Sequence, residues 1–158
     1  MTVLLDNTVL SNFSLVRRPD LVRAAFVEQV GTTEQAFHEM QDGIAIGRIP
    51  ACDWGWLSRL ALTPVEQARF EVFQEHMGIG EASCLAMAKE RGHKLATDDK
   101  DARRLARQLG IPLTGTVGIL AILVKQGLIS LADGDRFLND MVASGYRSPL
   151  ETLQDMFS

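Results

Sequence analysis

Short apolar runs alternate with helical segments of about ten residues along this chain, and that alternation narrows the fold more than any other feature. Residues 2–6 (TVLLD), 93–97 (HKLAT) and 111–114 (IPLT) read as extended. Between the first two, Val9, Leu10, Phe13 and Val16 recur at helical spacing from Thr8 onward. Pro19-Asp20 opens a second helix that runs to Val27 or Glu28 and is stopped by Gly31. Thr32-Thr33-Glu34 opens a third, with Ala36, Phe37, Met40 and Ile44 on one side. Ile49-Pro50 breaks the pattern, and Trp54, Trp56 and Leu57 indicate extended structure against the core between 48 and 62. Helices follow over 65–76, behind Thr63-Pro64, and over 81–91, with Gly78 and Gly80 bracketing a turn and Gly92 as a stop. A further helix runs from Asp98-Asp99-Lys100-Asp101 to Leu109, two more cover about 117–126 and 131–144, and a short one lies near 150–157. The expectation is an α/β fold with a central parallel sheet flanked by helices, in which sites form at the carboxyl ends of the strands.

At 158 residues the chain is expected to form one domain, 1–158, with a helical C-terminal extension from about 128. The longest apolar run, Val117 to Val124, is far short of the roughly 20 residues that cross a bilayer, and no basic segment precedes an apolar one at the start. Cys52 and Cys84 lack metal-ligand spacing and suit a reducing compartment. A soluble, cytoplasmic protein with no membrane partner is therefore expected. The formal net charge of −4 argues against a basic nucleic-acid-binding surface, but not against acids that engage a phosphate backbone through cations.

Two acids stand directly behind strands: Asp6, and Asp98 with its neighbour Asp99. Each has an ordinary explanation as a helix cap, although Asn7 or Thr8 could cap the first helix and leave Asp6 free. Asp98 with Asp101 resembles a capping box, and Asp99 with Arg103 is spaced for an i,i+4 pair. Even so, three acids in one helical turn exceed what capping needs, and crowded carboxylates repel one another unless a cation neutralises them. Glu81 opens a helix behind two glycines, and Glu39 lies at the margin of an apolar stripe. Oxygen ligands of this kind suit magnesium or manganese. Other chemistries have less support. His38, His76 and His93 lie in unrelated contexts, neither cysteine is activated, no phosphate loop or dinucleotide fingerprint is present, and a strand-end aspartate phosphatase would want an acid where Thr8 stands.

Four stretches carry a likeness to a known family: LLDNTVLSNF at 4–13, GEASCLAMAKERG at 80–92, LATDDKDARRLARQLGIPLTGTVGIL at 95–120 and LISLADGDRFLNDMVASGYR at 128–147. With these the chain resembles PIN-domain proteins, in the prokaryotic branch related to VapC-type toxin ribonucleases; the middle, about 43–77, contributes little. The resemblance implies a three-layer α/β sandwich whose acidic pocket binds Mg2+ or Mn2+ and cleaves single-stranded RNA. It assigns Asp6, Glu39, Glu81 and Asp99 to catalysis and Asp6, Glu81, Asp98 and Asp99 to the metal, the fourth acid being Asp98 or Asp99. Thr8 takes the place of a small polar residue that steadies the site, and Lys100 and Arg103 are candidates for the RNA backbone. Asn7 departs from the usual small residue after the first acid, Glu34 rivals Glu39, and a pocket without either would be degenerate. Partners implied are RNA, a small antitoxin protein and a second copy of the chain, for which the apolar helices at 117–144 are available. The alternatives are a PIN-like nucleic-acid-binding or regulatory module without turnover and, more weakly, a DNA-structure nuclease.

Overall fold

The computed structural model describes residues 1–157. Its centre is a five-stranded, wholly parallel sheet: β1 Thr2–Leu5, β2 Gln29–Thr33, β3 Ser58–Leu60, β4 Lys94–Ala96 and β5 Leu113–Thr114, in the order β3-β2-β1-β4-β5. Eight α-helices flank it: α1 Asn7–Leu15, α2 Pro19–Ala25, α3 Glu34–Ala45, α4 Pro64–Phe73, α5 Ile79–Arg91, α6 Lys100–Gln108, α7 Thr116–Lys125 and α8 Leu131–Ala143. A 3-10 turn at Leu153–Met156 closes the described chain.

β1 shows why three layers form. Its side chains alternate between faces, as any strand requires, and neither face is left to water. Val3 and Leu5 enter a core built with Leu10 and Phe13 of α1, Val22 of α2, Leu120 of α7 and Leu138 of α8. Leu4 enters the opposite core with Leu85 and Met87 of α5 and Ala102 and Ala106 of α6. A strand buried on both sides reads as an unbroken apolar run, which is what VLL supplies. α4 lies outside α5, packing Phe70 on Ala82 and Ala86. It starts at a capping box in which Thr63 and Glu66 satisfy each other's backbone N–H.

Three sequence expectations change. Gln29–Thr33 is a strand pairing with both β1 and β3, not the tail of a helix, so α2 stops at Ala25. Gly31 sits inside that strand, where a Cβ would lie 3.3 Å from the Ser58 carbonyl oxygen and from the Leu60 side chain; close strand approach, not helix termination, requires it. α5 begins at Ile79 with Gly78 as its N-cap, so Gly80 belongs to the first helical turn. Residues 74–78 form the turn before it, and α4 ends at Phe73 instead of 76. The expected short C-terminal helix is the 3-10 turn, and Ser158 lies outside the described residues. Among the described residues no helix is long and apolar enough to cross a membrane.

Candidate active site

β1 pairs with β2 on one side and with β4 on the other, so the chain's connections diverge in opposite directions from the β1–β4 pair. At such a switch point the loops behind the two strands part and leave a crevice at the carboxyl ends. Asp6 follows β1 there, and Thr97-Asp98-Asp99 follows β4.

Asp6 is fully buried. Its Oδ1 accepts from the backbone N–H of Thr8 (3.0 Å) and Val9 (3.3 Å) and from the Thr8 hydroxyl (2.5 Å), while its Oδ2 accepts from the Thr97 hydroxyl. Asp6 is therefore itself the N-cap of α1; that work does not pass to Asn7 or Thr8. Thr8 does something else: its hydroxyl oxygen also accepts from the N–H of Asp98 (2.9 Å), which fastens the start of α1 to the end of β4. Thr97 makes the matching link, donating to Asp6 and accepting from the N–H of Asp99 (3.1 Å). Thr97 was visible in the sequence only as the first letter of the acid cluster.

Asp98 and Asp99 are adjacent but differently employed. Asp98 Oδ1 accepts from the Thr116 N–H (2.8 Å) and the Tyr146 hydroxyl (3.5 Å). Its Oδ2 accepts from the Thr116 hydroxyl (2.5 Å) and the Asn12 amide (3.1 Å). This carboxylate ties α1, α7 and the segment behind α8 together. Asp99 caps α6 through Oδ2, which accepts from the Ala102 N–H (2.8 Å), and it lines the cleft. Its Oδ1 has no hydrogen-bond partner among the described residues. Neither the Asp98–Asp101 capping box nor the Asp99–Arg103 pair forms; Asp101 pairs with Arg104. Arg103 instead donates to the carbonyls of Thr97 (2.8 Å) and Thr114 (3.1 Å), bracing the ends of β4 and β5. Lys100 is exposed at the first position of α6 and lines the cleft.

The other two acids come from helices on the far side of the crevice. Glu39 Oε1 accepts from the Gly80 N–H at 2.6 Å, and Glu39 lines the cleft together with Asp98 and Asp99. Its rival Glu34 is exposed in the first turn of α3. Glu81 folds back over Gly78, where a Cβ would come within 2.3 Å of Oε2; at Gly80 a Cβ would sit 3.2 Å from the Glu39 carboxylate. Both glycines are thus needed to admit carboxylates to the start of α5. Behind them, Thr33, the cap of α3, shares a 2.7 Å hydrogen bond with the hydroxyl of Ser83, which donates to the Gly80 carbonyl (2.8 Å). This buried chain of hydroxyls sets the helix bearing Glu39 against the helix bearing Glu81.

Five acids from four chain segments therefore meet at the ends of four helices. Asp6, Glu39, Asp98 and Asp99 accept backbone N–H groups at helix N-termini and Glu81 lies in the first turn of α5, where the backbone supplies partial positive charge. That charge does not neutralise them. Burial, aided by the nearby charges of Glu81 and Asp98, pushes Asp6 up to about 8 against hydrogen bonds from Thr8 and Thr97. Burial also raises Glu81, with Glu39 and Asp99 adding to the effect. Asp98 is raised by burial, against the hydrogen bonds of Thr116 and Asn12 and the charge of Arg103. None of these five acids joins an ion pair among the described residues; the ion pairs present involve Asp20, Asp42, Glu66, Glu90, Asp101 and Asp133. The donor set is all oxygen, crowded and short of positive charge, which fits a hard divalent cation. As placed, no three of the described acidic, histidine or cysteine side chains surround a common point, because the carboxylates lie against helix N-termini.

A cleft of ≈ 790 Å³ opens beside the acids, lined by Thr8, Glu39, Asp98 and Asp99 at the site and by Asn7, Ser11, Arg48 and Arg147 beyond it. Asn12, Thr116 and Tyr146 complete the set that sequence reading missed, because their link to Asp98 spans 86, 18 and 48 residues and leaves no local signal.

A family model described as PIN domain matches residues 2–158. Among solved structures, the chain is similar to PAE2754 from Pyrobaculum aerophilum: 16% identity, a TM-score of 0.53, and coverage of 82% of this chain and 91% of that one. At this identity the likeness concerns the fold. No curated protein matches the chain.

Proposed function

From the premise that the chain belongs to the PIN-domain family, whose members are generally nucleases that use divalent metal ions, we propose that it is a Mg2+- or Mn2+-dependent endoribonuclease acting on single-stranded RNA. The observation that carries this reading is the gathering of Asp6, Glu39, Glu81 and Asp99 at the sheet's switch point with no ion-pair partner among the described residues.

Asp6, Glu81 and Asp99 hold the metal on this reading, with Glu39 as a further ligand or as the group that orients water. Asp98, which ties α1, α7 and the segment behind α8 together, is taken on this reading as a positioning residue, and Asp99, whose Oδ1 has no hydrogen-bond partner among the described residues, as the fourth acid. Held by Asp6, Glu81 and Asp99, a divalent ion would supply a bound water of lowered pKa and offset charge on the phosphate. The chain's own part is preorganisation. Thr8 and Thr97 fix the Asp6 carboxylate, Arg103 fixes the strand ends, and the Thr33–Ser83 pair sets α3 against α5. The finer role, the toxin of a pair silenced by a small antitoxin protein, draws its support from the sequence resemblance alone and is tested by co-purification with the product of a neighbouring reading frame.

One observation favours a second reading, a PIN-like module that binds nucleic acid without turnover: no three acids already converge. A single experiment separates the two. Wild type and Asp6→Asn are incubated with structured and unstructured RNAs in manganese, magnesium or EDTA. Cleavage by wild type in metal, absent from the variant and from EDTA, is expected. Metal binding by calorimetry with no cleavage of any RNA overturns the nuclease reading in favour of the module.

A further inference from the structure

The cleft continues well past the acids, and its outer half has a chemistry of its own. Arg48, behind α3, and Arg147, behind α8, are exposed and line it together with Lys100. None of the three forms an ion pair among the described residues. Leu15 and the exposed Ile46 offer apolar surface in the same cleft, and Tyr146 is held there by its hydroxyl on Asp98. Asn7 stands beside Asp6. The Ser11 hydroxyl donates to Asn7 Oδ1 at 3.1 Å, which fixes the amide and leaves its Nδ2 donors unspent.

We infer that this outer half is a subsite for the nucleotide flanking the scissile phosphate of a single strand. Arg48 and Arg147 take the backbone phosphates, Leu15, Ile46 and Tyr146 take the base, and the Asn7 amide donates to that base's edge. The inference deepens the nuclease reading and rests on it for the position of the scissile bond. Three features argue for this occupant. Arg48, Lys100 and Arg147 bring three exposed cations to a cleft that also holds the carboxylates of Glu39, Asp42, Asp98 and Asp99, so a strand that reaches the acids finds cations for its phosphates beside them. The volume lies in the ~300–1,000 Å³ range of small-ligand sites, and an aromatic beside cations is how single strands are held without a duplex. Asn7, the residue that departs from the family's usual small side chain, gains a role as a specificity-determining contact.

The test is fluorescence anisotropy of a short labelled single-stranded RNA, with calcium in place of manganese, across a salt series. Arg48→Ala/Arg147→Ala is expected to bind about tenfold more weakly, and its log K against log salt to flatten by about 1.4, two contacts at roughly 0.7 each. Asn7→Ala is expected to keep the wild-type salt slope and to discriminate less among RNAs that differ in base composition. Manganese affinity, measured by calorimetry, serves as the check on folding and is expected to be unchanged in both variants. Wild-type affinity and slope in the double variant, or no measurable RNA binding by wild type, overturn the subsite. Loss of cleavage competence in wild type would instead strike the nuclease reading and leave the binding result standing, so the two failures are distinguishable.

Discussion

Asp6→Asn in metal-free protein is expected to be more stable than wild type at neutral pH, the reverse of most substitutions at a fully buried position. Burial raises the Asp6 carboxyl to about 8, whereas in the unfolded chain it titrates near 3.9. Between those values the folded state binds more protons than the unfolded one, so stability falls as pH rises, by up to roughly 1.4 kcal/mol per pH unit. At about pH 7 the accumulated cost is on the order of 4 kcal/mol as an upper bound, and relaxation of the site and compaction of the unfolded chain reduce it to about 1–3 kcal/mol. Asparagine is uncharged, fits the same volume and caps a helix about as well as aspartate, so it escapes this cost and keeps the acceptor for Thr8 and Val9. The assay is urea or thermal unfolding of both proteins in EDTA between about pH 5 and about pH 8. The variant should gain about 3–10 °C at the upper end, at roughly 2–4 °C per kcal/mol for a domain of this size, and the gap should close toward acid. Manganese should then invert the order by stabilising wild type, by about 2.7 kcal/mol at a hundredfold excess over the dissociation constant, with little effect on the variant. Parallel stability–pH curves for the two proteins would refute the reasoning, because they would mean that Asp6 carries no buried-charge cost for a cation to relieve.

Gly80→Ala should separate fold from function. The position is helical, so alanine gains about 0.5–1 kcal/mol of helix stability, but its Cβ at 3.2 Å from the Glu39 carboxylate displaces that acid. Melting raised by about 1–4 °C with about a tenfold loss of metal-dependent cleavage is expected, and undiminished cleavage would show that Glu39 is idle. Glu66→Ala should cost about 2–3 kcal/mol, because it strips the buried partner from Arg91, which remains partly open to water. Burial acts to raise the Glu66 carboxyl, but the Arg91 and Thr63 hydrogen bonds outweigh it and hold the group below the usual range. Its stabilisation is therefore present at neutral pH and lost as pH falls through the acid range, so the gap between variant and wild type in unfolding experiments should narrow below about pH 4. Thr97→Val should leave β4 in place while removing the hydroxyl that joins Asp6 to the Asp99 N–H. Cleavage should drop about a hundredfold and Thr97→Ser should restore most of it, whereas a failed rescue would make the role one of packing.

Much of the frame was legible because it is written locally. VLL followed by Asp6, KLA followed by Thr97-Asp98-Asp99, and the glycine stop at Gly92 each declare a strand end or a helix end within a few residues. β2 was not legible, because QVGTT offers one apolar β-former and a glycine whose purpose lies in a neighbouring strand. The acids could be found from their places behind strands; how their oxygens are divided could not. Asp6 proved to be both cap and buried acid, and Asp98 and Asp99 took different tasks only because Asn12, Thr116 and Tyr146 arrive from elsewhere in the chain. Such long-range partners carry no periodicity to read.

The carboxylate of Asp98 has a temporal consequence. It is the knot between a residue made early, Asn12, and residues made late, Thr116 and Tyr146. During synthesis the acids of the first hundred residues emerge well before the segments that lock them, so a ribosome-bound or proteolysed chain that ends short of Tyr146 carries the acids without their frame. The locked geometry of the acids therefore arrives late, with the last helix and the stretch behind it.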